Sequence, residues 1–475
     1  MQISLKLLKY LLFLVPLVFL LQGYLVEGFN GLYGQDGHEY NRLTNNFIDY
    51  FSGETDHIDK GRIPIVYSFF ASLIAFVTGN TPLILQLISF FSFLLTLYYS
   101  YKILRFFHPS EKESILIFLL ITIASSSFFL KMSTLVMTDM FALLFVMGAY
   151  FHAFKYWKTK SDSQLYISML FIGLAFFVRY AAGVLLVIPF ILNLGIAIKH
   201  FKLKNLLVGM LILAFFLIPF AMIGLGDHNI TQKTTTVKWA FANIFSNSFS
   251  SPNAGGAHQY SLPNILFSLS NFVHPRFFLL SLPLLFFIRK NVFVRKEIWV
   301  ILASILFYTV FISGLRFQNT RYLMLALALW NIVLFFPFKK LWDKISNKSI
   351  KIVMVLGIVS FQFLVGVKTI QKIYRISSIE KEVTSFLLTQ ENKSIYAFDI
   401  DISFRSYKIP QKTHNLFVKK YQTFEKEALV VFNEEKFSKQ WEGANPMLNW
   451  NKMNEENNLV KIKSFEDGWN LYEIN

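Results

Sequence analysis

Residues 30–64 read NGLYGQDGHEYNRLTNNFIDYFSGETDHIDKGRIP, from Asn30 to Pro64. Counting Glu27 just ahead of it, the stretch carries seven acidic residues: Glu27, Asp36, Glu39, Asp49, Glu54, Asp56 and Asp59. An apolar run, Tyr10 to Val26, precedes it, and most of the chain after it is apolar. A polar, acid-rich segment between hydrophobic spans is either a solvated connector or a place where chemistry happens. The surrounding chain sets the class. Of its 475 residues 54% are hydrophobic and 16% charged, whereas a soluble protein carries about 25% charged residues. Mean hydropathy is +0.46, and there are 54 Phe. This is the composition of a polytopic membrane protein.

The net charge of +17 does not point to nucleic acid, because the basic residues sit between apolar segments, where the positive-inside rule puts them. The absence of cysteine excludes disulfides, thiol catalysis and cysteine-based metal sites. Lys6 and Lys9 precede the first apolar run, and no small-residue cleavage pattern comes after it. It reads as a retained span with its N-terminus inside.

Apolar runs of span length predict eleven transmembrane helices, near 8–26, 82–104, 114–131, 138–155, 165–179, 182–198, 206–225, 276–289, 298–314, 322–338 and 352–370. Ile63 to Thr78 is short and opens on a proline, so it reads as a juxtamembrane helix. Leaving it out of the count puts the clusters Lys102/Arg105/Lys112, Lys155/Lys158/Lys160, Lys199/Lys202/Lys204, Arg289/Lys290/Arg295/Lys296 and Lys339/Lys340/Lys344/Lys348 on one side with the N-terminus. Counting it would move them all outside, against the positive-inside rule. A first outer loop, 27–64, and a long outer loop, 226–274, lie opposite those clusters. Residues 371–475 are more polar and alternate short apolar runs, such as Ser394-Ile-Tyr-Ala-Phe-Asp-Ile and Ala428-Leu-Val-Val-Phe, with helical stretches. They predict a small α/β domain outside the membrane. The fold class is an all-α polytopic membrane protein, residues 1–370, with a C-terminal extramembrane α/β domain, residues 371–475.

Unusual residues collect at the outer ends of the predicted spans. Asp139 opens the fourth, in Met137-Thr-Asp-Met-Phe. Arg179 and Tyr180 lie between the fifth and sixth, and Arg316, Arg321 and Tyr322 open the tenth. With Asp36, Glu39, Lys60 and Arg62 they place carboxylates and cations on one face of the membrane. Charges at membrane depth are costly and mark function. A carboxylate can act as general base on an acceptor hydroxyl or amine, or hold a divalent metal through oxygen. Arginines can hold the phosphate of a lipid carrier by paired hydrogen bonds. Charge developing on a phosphate as a sugar leaves needs a cation or metal to stabilise it. Sugar transfer from a membrane lipid phosphate fits such a set. The competing reading is a transporter or flippase of lipid-linked sugars, which would place its ionisable residues near mid-span.

The order of these features resembles the GT-C glycosyltransferases, specifically the family 39-like group that includes protein O-mannosyltransferases and aminoarabinose transferases of lipid A. The group's first outer loop has an Asp in a D-x-x-x-Y pattern, here Asp36-Gly-His-Glu-Tyr40. A basic segment with prolines comes next, here Lys60-Gly-Arg62-Ile-Pro64 with a single proline. A second Asp opens the helix after the third span (Thr138-Asp139-Met140), ahead of two Arg-Tyr pairs, Arg179-Tyr180 and Arg321-Tyr322. The resemblance covers about residues 8–340. It implies that Asp36 is the catalytic base and that Asp139 is the second acidic residue, at a metal or acceptor site. It implies that Lys60, Arg62, Arg179 and Arg321 meet the lipid phosphate, with Tyr40, Tyr180 and Tyr322 beside them. Glu39 and His258, the latter in the long outer loop, are candidates for the acceptor site or a lid over it. His38 and His57 read as solvated loop histidines. The implied partners are a polyprenyl-phosphate-linked sugar donor, a glycolipid, polysaccharide or protein acceptor, and membrane lipids. Some members of the group use a divalent cation (Mg, Mn or Zn), which would sit at Asp36 and Asp139. The implied location is the cell (inner) membrane, with the site facing the extracytoplasmic side.

Overall fold

The structure, a computed structural model, describes residues 5–58, 64–200, 203–215, 218, 239–250, 257–259, 262–270, 281–315, 318–390 and 393–475. The segment holding Lys60 and Arg62, most of the long outer loop, and parts of the predicted spans 206–225 and 276–289 lie outside the described residues.

The first ten helices are α1 (Leu5–Val26), α2 (Gly34–Phe51), α3 (Val66–Thr78), α4 (Thr81–Phe107), α5 (Lys112–Ala124), α6 (Ser127–Thr134), α7 (Thr138–Thr159), α8 (Asp162–Val178), α9 (Tyr180–Lys199) and α10 (Leu203–Phe215). Past the strands β1 (Ser248–Ser250) and β2 (Ala257–Gln259) come α11 (Asn264–Leu269), α12 (Ser281–Leu285), α13 (Lys296–Ser313), α14 (Thr320–Lys344) and α15 (Lys348–Leu387). Among the described residues α1, α4, α9, α13, α14 and α15 are each long and apolar enough to cross a membrane. α5 and α6, bent by 66° at the break between them, make a seventh such unit. Other predicted spans take different forms. α8 has only 17 residues, against the roughly 20 that a straight span needs, and α3, expected as a juxtamembrane helix and not a span, has 13. α7 has 22 residues, but Asp139, Lys155 and Lys158 lower its hydropathy. It is buried along nearly its whole length between α4, α8 and α9, so neighbouring helices rather than lipid are its solvent.

The helix ends sort into two sets. At one end Lys339 pairs with Glu111 at 3.1 Å, Arg295 lies over the Phe107 ring, and Lys158 lies over Phe106. Four of the lysine- and arginine-rich connections, those of Arg105/Lys112, Lys158, Arg295 and Lys339, therefore meet at that end of the bundle. At the other end the starts of α2, α7, α9 and α14 converge. The linker between α1 and α2 is tied there by the Val136 N–H, which donates to the Gly31 carbonyl at 2.9 Å.

The first outer loop is itself helical. α2 buries Gly37, His38, Tyr40, Asn41, Leu43, Thr44 and Phe47, the i, i+3, i+4 spacing of one helix face. Its C-terminal end packs on α3 through Phe47, Phe51 and Phe69. α3 leaves Leu73, Ile74, Phe76 and Val77 exposed, a surface suited to lipid.

α15 runs 40 residues without a break, about 60 Å at the α-helical rise and twice the thickness of a bilayer core. It passes straight through the expected boundary at residue 371. Its last turns bury Ile379, Val383 and Leu387 in the core of the C-terminal unit. That unit is a five-stranded sheet ordered β4-β3-β5-β7-β6, made of β3 (Ile395–Ala397), β4 (Thr413–Asn415), β5 (Leu429–Phe432), β6 (Leu459–Ser464) and β7 (Asn470–Ile474). β3 pairs in parallel with β4 and β5, and β7 is antiparallel to β5 and β6. Its helices are α16 (Asp401–Ser406), α17 (Glu434–Gln440) and α18 (Asn445–Glu456). Trp450 of α18 stacks on Phe432 with ring centroids 4.4 Å apart. Trp441, Trp450 and Trp469 are all part of this packing.

Gly31 has φ +85°, and a Cβ there would lie 2.9 Å from Val136 Cγ2 and 3.1 Å from Gln86 Cβ. Gly31→Ala should therefore cost about 1–3 kcal/mol through backbone strain alone, with the clash added. The expected result is a clearly lowered denaturation midpoint of the purified protein. Gly34→Ala, whose added Cβ meets nothing within 4 Å, should lower it less.

Candidate active site

Four charged side chains meet where those helix starts converge. Asp36 is in the first turn of α2 and Asp139 in the first turn of α7. A helix N-terminus favours a carboxylate, through its unpaired N–H groups and dipole. Arg179 sits in extended backbone (φ −156°, ψ 107°) between α8 and α9. Arg321 lies in the first turn of α14, where the Asn319 side chain accepts its backbone N–H at 3.0 Å. Arg321 occupies a helix start, which disfavours a cation, so its position depends on the carboxylates, whereas Arg179 lies both at the end of α8 and at the start of α9.

Arg321 bridges the two acids. Its Nη1 donates to Asp36 Oδ2 at 2.6 Å, and its Nε and Nη2 reach Asp139 Oδ2 at 3.2 and 3.1 Å. Arg179 Nη1 approaches the other Asp139 oxygen at 2.8 Å. The Arg179 guanidinium also lies 5.4 Å over the Tyr322 ring, in cation–π range. Asp139 is fully buried, whereas the Asp36 side chain is 44% exposed and that of Arg321 21%. The site thus has a buried carboxylate that locks two cations and an outer carboxylate open to a reactant.

A hydroxyl-rich layer supports this array. The Tyr40 and Thr138 hydroxyls lie 3.3 Å apart, and Tyr67 donates to the Leu85 carbonyl at 2.7 Å. Burial first, then the Asp36 charge, pushes the Tyr40 hydroxyl well above the ordinary phenol range. It stays protonated, and no base role falls to it. Tyr33 is also raised, by burial and then by Glu380 and Asp399.

The remaining candidates stand apart from this array. Glu39 pairs with Arg42 at 2.9 and 3.0 Å. Tyr180 is exposed and faces Phe176. The His258 backbone is in β2, opposite Phe249 of β1. Lys60, Arg62 and Arg316 lie outside the described residues. His57 is exposed and pairs with Asp56, as expected of a loop histidine. His38 departs from that expectation. It is 1% exposed and meets Glu380 of α15 at 2.9 Å. The reason is its place on the buried face of α2, where Glu380 of α15 and the Tyr407 ring meet it.

Sequence reasoning missed Glu380, which lies beyond the expected end of its helix, and Gln35, whose amide donates to Asp399 at 3.1 Å. The i, i+3 spacing of His38 with Asn41 was the available signal for a buried polar face.

Asp36 and Asp139 do not form a metal site as arranged, because the Arg321 guanidinium stands between them. Among the described residues no group of three His, Asp or Glu comes together in metal-holding geometry.

Residues 62–223 match the family described as dolichyl-phosphate-mannose-protein mannosyltransferase, a range that includes Asp139 and Arg179. The structure of ArnT from Cupriavidus metallidurans bound to undecaprenyl phosphate is similar at a TM-score of 0.64 and 10% identity, covering 98% of this chain and 97% of that one. The apo structure of the same protein is similar at a TM-score of 0.62 and 10% identity, covering 96% and 97%. No curated protein matches the chain in sequence. The fold is therefore the GT-C fold that the order of sequence features implied, and the likeness extends over the C-terminal sheet.

Asp139→Asn removes the charge that neutralises two largely buried guanidiniums. The expected cost is about 3–5 kcal/mol, that of breaking a buried ion pair from one side. Asp36→Asn breaks a partly exposed pair and should cost about 1 kcal/mol or less. Denaturation midpoints of the two purified variants check this difference.

Proposed function

We propose that the protein is a membrane glycosyltransferase. It moves a sugar from a polyprenyl-phosphate donor to an acceptor hydroxyl or amine on the extracytoplasmic face. The observation that carries this reading is the Asp36–Arg321–Asp139–Arg179 array, at the end of the bundle opposite the lysine-rich connections. By the positive-inside rule that end faces away from the cytoplasm. The ArnT structure of the same fold holds undecaprenyl phosphate, which supports a lipid phosphate as the donor's carrier.

Exposure and charge support the following roles. Asp36, the outer carboxylate, takes the proton of the acceptor hydroxyl or amine as that group attacks the anomeric carbon. The bond from that carbon to the phosphate oxygen breaks, and the lipid phosphate leaves with the electron pair. Arg321 is partly open on the same side and offers its planar N–H fork to the phosphate oxygens. Asp139 is too buried to meet an acceptor. It positions both arginines, so that the positive field is in place before the leaving charge develops. No step needs a divalent ion bound between the two carboxylates.

The transporter reading finds little support in this geometry. Asp139 and Arg321 occupy first turns, and Arg179 lies between two helices. None is at mid-span, where a permeation path would need it.

Asp36→Asn should lower transfer from a polyprenyl-phosphate sugar donor by about 10²–10⁴-fold, the usual worth of a positioned general base. The assay uses membranes containing the protein, labelled donor and an extract of envelope acceptors. Transfer near the wild-type rate would overturn the assignment of Asp36. Arg321→Lys keeps the charge and loses the fork, and should also lower the rate.

A further inference from the structure

Between Gly34 and Arg42, the part of α2 that carries Asp36, the buried side chains are His38, Tyr40 and Asn41. The first buried aliphatic side chain is Leu43, about two turns past Asp36. Tyr33, just ahead of the helix, provides no side-chain cap. The turn that bears the outer carboxylate is therefore held from the side, largely by polar contacts. Tyr40 faces the bundle, with the Thr138 hydroxyl and the Tyr67 ring beside it. His38 faces α15, and Asn41 faces the C-terminal unit.

His38 lies two residues past Asp36, about 200° around a helix of 3.6 residues per turn. The two side chains thus leave α2 on nearly opposite sides. Asp36 is drawn to Arg321 of α14 at 2.6 Å, and His38 to Glu380 of α15 at 2.9 Å. α2 cannot turn about its axis without disturbing both contacts, so together they fix the angle at which Asp36 is presented.

Glu380 is suited to this task. It sits on the unbroken helix that runs from the bundle into the core of the C-terminal unit. Both side chains of the pair are buried. A carboxylate only accepts, so the hydrogen is on His38 Nε2. Nδ1 is buried with no partner among the described residues, and the Tyr407 ring closes on the imidazole with centroids 5.5 Å apart. The imidazole thus leaves one nitrogen unsatisfied and is placed for its bond to Glu380. Attachment of the C-terminal unit does not depend on that bond. Lys408 holds Asp49 at 3.0 and 3.1 Å, Lys381 donates to the Gly28 carbonyl at 2.6 Å, and Asn41 donates to Ser406 Oγ at 2.9 Å.

We propose that the His38–Glu380 pair positions Asp36 for the transfer reaction, by fixing the rotation of the first turns of α2 against the pull of Arg321. The assignment rests on the transferase reading and adds the contact, outside the charged array, that sets the base. His38 and Glu380 are positioning residues, not catalytic ones.

The test is a cycle of variants of the full chain in membranes, with labelled polyprenyl-phosphate sugar donor and an extract of envelope acceptors. His38→Gln places an amide donor where Nε2 stands, and Glu380→Gln keeps an acceptor. Both should stay within about threefold of the wild-type rate. His38→Asn also carries an amide but is too short to reach Glu380. It should lower kcat about 10²-fold, the effect of misplacing a reacting group by about 1 Å, with KM for the donor unchanged. In an Asp36→Asn background His38→Asn should change the rate by less than about twofold, because nothing is left to position. A purely structural role would lower the rate by the same factor in both backgrounds. The proposal is overturned if His38→Asn keeps the wild-type rate, or raises KM with kcat unchanged. It is also overturned if either glutamine variant is as slow as His38→Asn, or if His38→Asn slows both backgrounds equally. Asp36→Asn by itself tests the transferase reading. At the wild-type rate it removes the base and overturns the positioning with it, whereas a slow Asp36→Asn slowed equally again by His38→Asn overturns the positioning alone.

Discussion

Arg321 touches two carboxylates that are 103 residues apart in sequence, Asp36 and Asp139. The inner one is fully buried and shared with Arg179. Removing charges from water costs several kcal/mol per ion, and the mutual attraction repays it only when the geometry is complete. Here completeness needs the starts of α2, α7, α9 and α14 at one point. The site is therefore a tertiary contact as much as a chemical one. Displacing any of these helices would leave a charge unpaired in a low-dielectric setting. The same requirement explains the ties around it: Asn319 capping the turn of Arg321, the Gly31 carbonyl on Val136, and the hydroxyls of Tyr40 and Thr138.

The C-terminal unit is bound into this arrangement. α15 carries it on the last part of one unbroken helix. From there Glu380 meets His38, Ser406 meets Asn41, Lys408 meets Asp49 and Asp399 meets Gln35. All four partners are on α2, the helix that begins with Asp36. A small polar domain outside the membrane thus sets the rotation and tilt of the helix that presents the exposed carboxylate.

Much of this was legible in the chain. Composition and span-length runs required a polytopic bundle, since roughly 20 apolar residues have one economical use. The distribution of lysine and arginine sorted the connections into two ends, because charge near a membrane is constrained by side. The places of Asp36 in the first outer loop and of Asp139, Arg179 and Arg321 at the outer ends of predicted spans, and the family resemblance carried by their order along the chain, were enough to nominate them. The helical nature of the first outer loop was less legible, because α2 is polar on most of its surface and its buried face includes His38, Asn41 and Thr44. Apolar periodicity cannot register a face that is buried through hydrogen bonds. The extension of α15 past residue 370 was hidden for a related reason. Its later turns pack on a soluble-type core, so they lack the hydropathy of a span.

The sequence by itself determined the membrane class, the small α/β unit at the C-terminus, and which residue types could carry chemistry. Those properties come from composition and short-range pattern, and both are local. Only the tertiary structure decided that Asp139 is a buried clamp and Asp36 the exposed acid, that Glu39 belongs to Arg42, and that His38 is held by Glu380. Exposure and partnership depend on which distant helix ends meet. Residues separated by 342 positions, as His38 and Glu380 are, leave no trace of each other in any window of the chain.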